Sequence, residues 1–260
     1  MSIYIAPDAP YLRGHFPGRP ILPGVVQLWL VVEHLVGEVG SSLFLRSIKF
    51  ARLRQLVVPG DRLDVAFRPV ADSYMRAEIT RSGVLVANAE LEVGSGSDRQ
   101  PLPRAMRVEG TAVAAPPLDL LLPHRPPMRF VTEVERELAA GLRCMASISL
   151  ACGLASGGRV PALLCLEAAA QSAAAWEALR RSREASSASS RIGYLVAIRD
   201  TEFFTRDIPA DTPFTATVEL EAAALPLTHY AVEVSLEGKV MLRGKIATVL
   251  SEAGNEGMGE

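Results

Sequence analysis

A histidine in a stiff, proline-rich loop is the first residue of this chain that could do chemistry. His15 opens a ten-residue segment that contains three prolines and two glycines and ends at Gly24. An apolar run over residues 25–36 follows directly, and Pro23 suits the first turn of a helix because its missing N–H costs nothing there. An imidazole held beside a helix N-terminus can act as a general base near neutral pH. The alternative is a structural histidine in a turn.

A carboxylate inside an apolar stretch is the second candidate. Glu167 lies in the mostly apolar residues 163–175, and its neighbours at i−4, i−3 and i+3 are Leu, Leu and Ala. A helix would therefore place it on an apolar face, where a carboxylate without partners costs several kcal/mol. This cost favours a functional group over the alternative, an exposed helical glutamate. Gln171, one turn further on, could hydrogen-bond to the carboxyl group and orient it.

The elements that must position these residues recur along the chain. Residues 47–49 (Ser-Ile-Lys) return as 197–199 (Ala-Ile-Arg), 150 positions later. Residues 58–61 (Val-Pro-Gly-Asp) return as 208–211 (Ile-Pro-Ala-Asp) at the same offset. An internal repeat of this size indicates two copies of one structural unit.

Each copy predicts the same elements. Alternating residues over 62–70 and 212–221 predict antiparallel strands, and helices are expected to begin near Pro23 and Pro161. One long helix covering an antiparallel sheet gives an α+β fold, and we expect the two sheets to join edge to edge because pairing removes exposed edges. Residues 183–191 are predicted to form an inserted loop. The expected division is an N-terminal unit over 1–93, a linker over 94–117, a C-terminal unit over 118–250 and a tail over 251–260.

Composition sets the class of protein. The 260 residues are 49% hydrophobic with a formal net charge of −2, so a sizeable core is expected and a nucleic-acid surface is not. No uninterrupted apolar run reaches 18 residues, and no leader-like segment opens the chain, so neither membrane nor export is predicted. Three cysteines at 144, 152 and 165 form neither a disulfide framework nor a metal spacing. A cytoplasmic protein without metal or cofactor is the simplest expectation.

Both candidate segments resemble the FabZ/FabA 3-hydroxyacyl-ACP dehydratases, which have the hotdog fold. The pattern His-Phe-Pro-Gly-x-Pro-x-x-Pro-Gly-Val over residues 15–25 carries the resemblance, and residues 25–29 are still more similar to ApeI-type proteins of aryl polyene gene clusters. In the second half, residues 122–128 (Leu-Pro-His-Arg-Pro-Pro-Met) and 167–171 (Glu-Ala-Ala-Ala-Gln) resemble FabZ and ApeP-type proteins. The resemblance implies a double hotdog, a pseudo-dimer within one chain. It also implies that His124 is structural or lines an entrance.

Neither half keeps the family's spacing between the catalytic histidine and the catalytic carboxylate. In the family, the histidine works with a carboxylate fourteen positions later, but residue 29 is Trp, and fourteen positions before Glu167 stands Gly153. Glu33 lies one helical turn beyond Trp29, roughly 6 Å along the axis, which is too far to substitute without rearrangement. Because paired hotdogs in this family share each site between two subunits, the resemblance implies one intact composite site, His15 with Glu167. Trp29 and Gly153 would form a vestigial site.

The resemblance implies an acid–base dehydration. His15 would remove the proton α to a thioester carbonyl, and Glu167, kept protonated by its apolar surroundings, would protonate the departing β-hydroxyl. A free N–H at a helix N-terminus would stabilise the thioester oxygen, and both Gly24–Val25 and Ala162–Leu163 are candidates. If the Trp29 indole fills the vestigial pocket, one thioester should bind per chain.

The expected partner is an acyl carrier protein that delivers an acyl thioester. Such carriers are acidic, so a basic rim would steer them, although isolated surface arginines are usually just solvated. Candidate rim residues are Arg13, Arg19, Arg125 and Arg129. A further homo-oligomer is possible. The predicted reaction yields trans-2-enoyl-ACP in fatty acid, polyketide or aryl polyene biosynthesis. Two alternatives stay open, another hotdog activity such as a thioesterase or hydratase, and a non-catalytic scaffold or acyl-binding partner.

Overall fold

The computed structural model describes residues 1–39, 43–71, 73–95, 102–183, 191–224 and 226–252. In chain order the elements are β1 (Ser2–Tyr4), α1 (Gly24–Val39), β2 (Leu43–Leu53), β3 (Arg62–Ala71), β4 (Tyr74–Arg81), β5 (Val84–Ser95), β6 (Thr111–Ala112), α2 (Leu118–Leu121), β7 (Val131–Leu138), β8 (Gly141–Ala146), β9 (Arg159–Pro161), α3 (Cys165–Arg183), β10 (Arg191–Phe203), β11 (Asp207–Pro209), β12 (Phe214–Ala224), β13 (Leu227–Leu236) and β14 (Lys239–Glu252). Short 3-10 turns cover Pro10–Leu12, Leu150–Cys152 and Ala162–Leu164.

Twelve strands form one antiparallel sheet in the order β1-β3-β4-β5-β2-β10-β14-β13-β12-β8-β7-β6. The strands before residue 96 occupy one side and the later strands the other. The seam is the pairing of β2 with β10, in which Ile48 lies opposite Thr201 and Arg52 opposite Ala197. The expected edge-to-edge joining of the two sheets is confirmed, and it falls on the repeated 47–49 and 197–199 segments.

The two halves repeat the same strand order outward from the seam. The first half runs β2, β5, β4, β3 and then β1, while the second runs β10, β14, β13, β12 and then β8. Strand β1 has only three residues, and the second half adds β7 beyond β8.

The two long helices begin close to the predicted prolines. Helix α1 begins at Gly24, directly after Pro23, and buries an apolar face that includes Val25, Leu28 and Leu35. Helix α3 begins at Cys165, after a 3-10 turn that follows Pro161. Alanine, the strongest helix former, supplies much of α3 and lets it pack closely against β8, β12 and β13. Among the described residues, no helix combines the length and hydropathy needed to cross a bilayer.

The predicted connecting segments are only partly described. Within the expected linker, the Ala105 N–H donates to the Gly238 carbonyl, the Pro103 carbonyl accepts from the Val240 N–H, and β6 pairs with β7. This stretch is therefore fastened to the second half. The predicted insertion over 183–191 lies outside the described residues except at its two ends, as does most of the predicted tail. The domain boundaries stay predictions.

Candidate active site

The loop that carries His15 is built against the other half of the chain. Gly14 adopts a φ of +83°, and a Cβ there would lie 2.1 Å from the Arg125 carbonyl oxygen. The Arg125 N–H donates to the Gly14 carbonyl at 2.8 Å. Glycine is thus required at this position, both for its left-handed backbone and for the close approach. The contact brings His15 of the first half beside residues 123–125 of the second.

His15 is held in the tautomer that a base needs. Its Nδ1 lies 2.8 Å from the Ile21 carbonyl oxygen, and because a carbonyl can only accept, Nδ1 carries the proton. The lone pair therefore resides on Nε2, which lies 3.9 Å from Oε1 of Glu167. The residue is 5% exposed, and this burial lowers the pKa of His15 to about 4. The imidazole is therefore neutral, and able to accept a proton, at neutral pH.

Glu167 lies in the first turn of α3 and is 4% exposed. Burial raises the pKa of Glu167 to about 7, against a smaller lowering by the hydrogen bond from Gln171. Gln171 Nε2 donates to Oε1 of the carboxyl group at 3.1 Å. Because Oε1 is thereby occupied as an acceptor, the acidic proton is best placed on Oε2. The structure thus brings the two principal predicted residues together, one from each half.

Gln171 is itself fixed by the backbone of the second half. Its Oε1 accepts from the N–H groups of Phe130 at 2.8 Å and Val131 at 3.3 Å, and its Nε2 donates to the Met128 carbonyl at 2.8 Å. The two N–H donors fix the orientation of the amide, since only its oxygen can accept from them. Gln171 therefore presents a donor, and not an acceptor, to Glu167.

His124 lies at the centre of the site, which corrects the expectation that it is structural or lines an entrance. Its Nε2 is 3.5 Å from Oε1 of Glu167, and its ring centroid is 5.1 Å from that of His15. It is 5% exposed, and its Nδ1 is buried without a hydrogen-bond partner among the described residues. Burial, followed by the charges of His15 and Arg125, holds the pKa of His124 well below its usual value. The signal that singled out His15, a histidine in a proline-rich loop, was present here as well.

These three residues also form a set of possible metal ligands. One ligand atom from each of His15, His124 and Glu167 lies within 4.8 Å of the others. Two imidazoles and a carboxylate are donors that zinc and iron accept in proteins. The same atoms are the ones that an acid–base reaction would use, so the cluster fits either chemistry.

Hydrogen bonding distinguishes the two helix N-termini that were predicted to stabilise the thioester oxygen. The Ala162 N–H donates to the Arg206 carbonyl at 2.9 Å, and Leu163 borders the space around Trp29 instead of the site. Gly24 lines the site, and neither its N–H nor that of Val25 has a hydrogen-bond partner among the described residues. A Cβ at Gly24 would lie 2.2 Å from Cδ1 of Leu53. The N-terminus of α1 is therefore the better candidate.

The site opens into an elongated cavity that follows α3. The space measures about 920 Å³ with its open mouth included. One helix face lines it from Glu167 through three alanines to Glu177 and Arg181. Gln27 of α1 adds a buried amide whose Oε1 lacks a partner among the described residues, a feature that the sequence interpretation missed.

The predicted vestigial site has a different arrangement. Trp29 is half-buried, with its Nε1 buried and unpartnered among the described residues, and it borders a space of about 440 Å³ beside the exposed Glu33. Gly153 has a φ of +75°, and a Cβ there would lie 2.6 Å from Cβ of Pro10. The ring of Pro10 therefore occupies the space that a side chain at position 153 would need.

The predicted arginine rim is only partly at the mouth. Arg19 and Arg125 line a neighbouring surface pocket that shares Phe16, Ile21, Pro123 and Tyr194 with the site cavity, and this pocket is called the mouth here. Nη1 of Arg125 also donates to the carbonyls of Leu122 at 2.8 Å and His124 at 2.9 Å, which steadies the loop that carries His124. Arg129 forms an ion pair with Asp119, and the exposed Arg13 is not among the residues lining the mouth.

Comparisons with known proteins agree on one group. The family model ApeP-like: ApeP dehydratase matches residues 116–257, and ApeI-like: ApeI dehydratase matches residues 1–84. The 3-hydroxyacyl-[acyl-carrier-protein] dehydratase FabZ of Agrobacterium fabrum is 39% identical over 102 residues, covering 32% of this chain and 62% of that protein. FabZ of Thermus thermophilus is 33% identical over 100 residues, covering 30% and 70%. The chain therefore spans about two thirds of the length of these relatives.

A solved structure shows the same fold over nearly the whole chain. The dehydratase domain of PpsC from Mycobacterium tuberculosis, in complex with C12:1-CoA, has a TM-score of 0.69 at 16% identity and covers 96% of this chain and 92% of that one. The predicted double hotdog is confirmed.

Proposed function

Because this chain belongs to the ApeP-like dehydratase family, with a first half that matches the ApeI-like model, we propose that it dehydrates 3-hydroxyacyl-ACP thioesters. The products are trans-2-enoyl-ACP and water, in fatty acid, polyketide or aryl polyene biosynthesis. One observation carries the proposal: a neutral imidazole and a raised-pKa carboxyl group, one from each half, lie 3.9 Å apart in a single buried cavity.

Each group is in the protonation state that an elimination needs. Nε2 of His15 takes the α-proton, and the electrons of the Cα–H bond form the new double bond. The β C–O bond breaks, and Oε2 of Glu167 gives its proton to the departing oxygen, which leaves as water. The reaction leaves His15 protonated and Glu167 ionised, and proton transfer between these neighbours restores the starting states.

The N-terminus of α1 would stabilise the charge that develops on the thioester oxygen. The unpaired N–H groups of Gly24 and Val25 are fixed in place, so no reorganisation is needed as charge develops. The positive end of the helix dipole adds to this effect. In this arrangement the first half supplies the base and the oxyanion donors, whereas the second supplies the acid with Gln171 and His124.

The mouth of the cavity suits a thioester carried by an acidic protein. Arg19 and Arg125 line this mouth, and guanidinium groups bind phosphate and carboxylate groups well. A carrier protein would approach this face and pass its acyl chain inward past His15. The same observations argue against a non-catalytic scaffold, because burying an imidazole and two polar partners beside a carboxylate costs stability that such a protein would not need to lose.

The test is turnover of a purified 3-hydroxyacyl-ACP, with enoyl-ACP and free carrier thiol measured together by mass spectrometry. His15→Gln and Glu167→Gln should each lower the rate of dehydration by roughly 10²–10⁴-fold, the usual contribution of a general base or acid. His34→Gln and Glu33→Gln make the same chemical changes on α1, outside the site cavity, and should keep the wild-type rate. Release of free thiol without enoyl product would identify a thioesterase, and full activity in either site variant would refute the composite site.

A further inference from the structure

The site cavity has a second end, far from the reacting groups. Glu177 and Arg181 line it there, ten and fourteen residues beyond Glu167 on the same face of α3. At 1.5 Å per residue, these positions lie about 15 and 21 Å along the helix axis. Helical side chains lean towards the N-terminus, so the guanidinium group of Arg181 reaches back towards the level of Glu177. The cavity therefore ends roughly 15 Å from the site.

The wall between the two ends suits an unbranched chain. Ala170, Ala173 and Ala174 line the helix side, and Leu195 and Leu250 line the opposite side from β10 and β14. Alanine leaves room beside the helix that a larger side chain would fill. An extended chain advances about 1.2 Å per bond, because three backbone bonds span at most 3.3–3.6 Å. About 12 bonds therefore reach from the reacting β-carbon to the far end.

The far end is polar and incompletely paired. Nη1 of Arg181 is buried with no hydrogen-bond partner among the described residues. Glu177 accepts a hydrogen bond through Oε1 from the hydroxyl of Tyr230, which is itself fully buried. A buried donor left unpaired carries a desolvation penalty, so an acceptor supplied by a ligand would be stabilising. An apolar methyl end would leave this penalty in place.

We propose that this end is a binding subsite for a hydroxyl group at the far terminus of the acyl chain. The hydroxyl oxygen accepts from Nη1 of Arg181, and its proton is donated to the carboxylate of Glu177. A terminal carboxylate fits less well, because it would face the charge of Glu177 with no proton to donate. Arg181 and Glu177 then select chains of about 14 carbons that end in hydroxyl over those that end in methyl. This assignment rests on the proposed function for the identity of the ligand as an acyl thioester.

Binding and turnover are measured separately, so that failure of the subsite and failure of the proposed function are distinguishable. Non-hydrolysable 14-carbon acyl analogues ending in methyl, hydroxyl or carboxylate are titrated calorimetrically into wild type, Arg181→Met and Arg183→Met. Wild type should bind the hydroxyl-ended chain at least tenfold more tightly than the methyl-ended chain, because the hydroxyl gains hydrogen bonds to two charged groups, Arg181 and Glu177. Arg181→Met should reduce this preference severalfold, because only the hydrogen bond to Glu177 remains, and should bind the methyl-ended chain at least as tightly as wild type does, which also shows that it is folded.

Arg183→Met is the matched control, since Arg183 lies on the same helix, exposed and paired with Glu137, and should keep the wild-type preference. Equal binding of the hydroxyl and methyl ends by wild type, a preference that Arg181→Met leaves undiminished, or tightest binding of the carboxylate end would each overturn the subsite. Turnover of 3-hydroxybutanoyl-ACP, which is too short to reach the subsite, tests the proposed dehydration alone.

Discussion

Replacing Glu167 by glutamine should remove a specific pH dependence from the stability of the folded protein. Burial raises the pKa of this carboxyl group from 4.5 to about 7. The folded state therefore holds the proton more tightly than the unfolded chain does. Glutamine has nearly the same shape and cannot ionise, so the variant keeps the packing of α3 and loses only the titration.

The size of the effect follows from the shift. A change of about 2.5 pKa units at 1.36 kcal/mol per unit corresponds to about 3 kcal/mol. Since the folded pKa is raised, this contribution to stability is fully present below about pH 4.5 and is lost as the pH rises through about 7. The free energy of unfolding of wild type, minus that of Glu167→Gln, should therefore fall by about 3 kcal/mol across this range.

Urea unfolding of both proteins, followed by circular dichroism at several values between about pH 4 and about pH 8, measures this difference. Glu33→Gln makes the same substitution at an exposed position on α1, and its effect corrects for the loss of one negative charge. A difference between wild type and Glu167→Gln that does not change with pH would mean that the carboxyl group ionises as it does in water. The role of Glu167 as a protonated acid at neutral pH would then be wrong.

Three further outcomes follow from the same geometry. The kcat/KM for dehydration should rise as the pH passes about 4, where the histidine base loses its proton, and fall above about 7, where the carboxyl acid ionises; a pH-rate profile with no fall near 7 contradicts this. Gly153→Ala should lower the free energy of unfolding by about 1–3 kcal/mol, because the new methyl group meets Pro10 in addition to the backbone strain, and by more than Gly158→Ala, which has a similar φ but open space. Titration of a non-hydrolysable acyl-carrier analogue should give one acyl group per chain, because the space beside Trp29 is about half that of the site cavity; two groups of similar affinity would show an open second site.

The sequence was sufficient for the features that depend on local spacing. Short segments alone revealed the loop around His15 and the apolar face around Glu167. Comparison of two segments revealed the repeat at residues 47–49 and 197–199. The edge-to-edge joining of the two sheets was also predicted, but the identity of the pairing strands, β2 and β10, came from the structure. The fourteen-residue spacing of the family that the chain resembles also led to the prediction of a base in the first half and an acid in the second.

The features that were missed depend on contacts between distant segments. His124 reaches the site because the Arg125 N–H bonds to the Gly14 carbonyl, 111 positions earlier in the chain. No residue pattern within either segment predicts that contact. The crowding of Gly153 by Pro10 is of the same kind, because it depends on how two 3-10 turns from different halves meet. The choice of oxyanion donor likewise required knowing that the Arg206 carbonyl already binds the Ala162 N–H.

The presence of two hotdog halves in one chain gives a reason why each half lacks a different member of the family's catalytic pair. In a symmetric pair, every subunit must keep both the base and the acid, because each copy contributes to two sites. Under the proposed composite site, the first half of this chain needs only the base, so position 29 of α1 is free to hold a large apolar side chain. Under the same proposal the second half needs only the acid, so no side chain is required at position 153, and Pro10 packs against the backbone there. The two contacts between halves thus have opposite effects: the approach at Gly14 brings His15, His124 and Glu167 together, while the approach at Gly153 leaves no space for a side chain at that position.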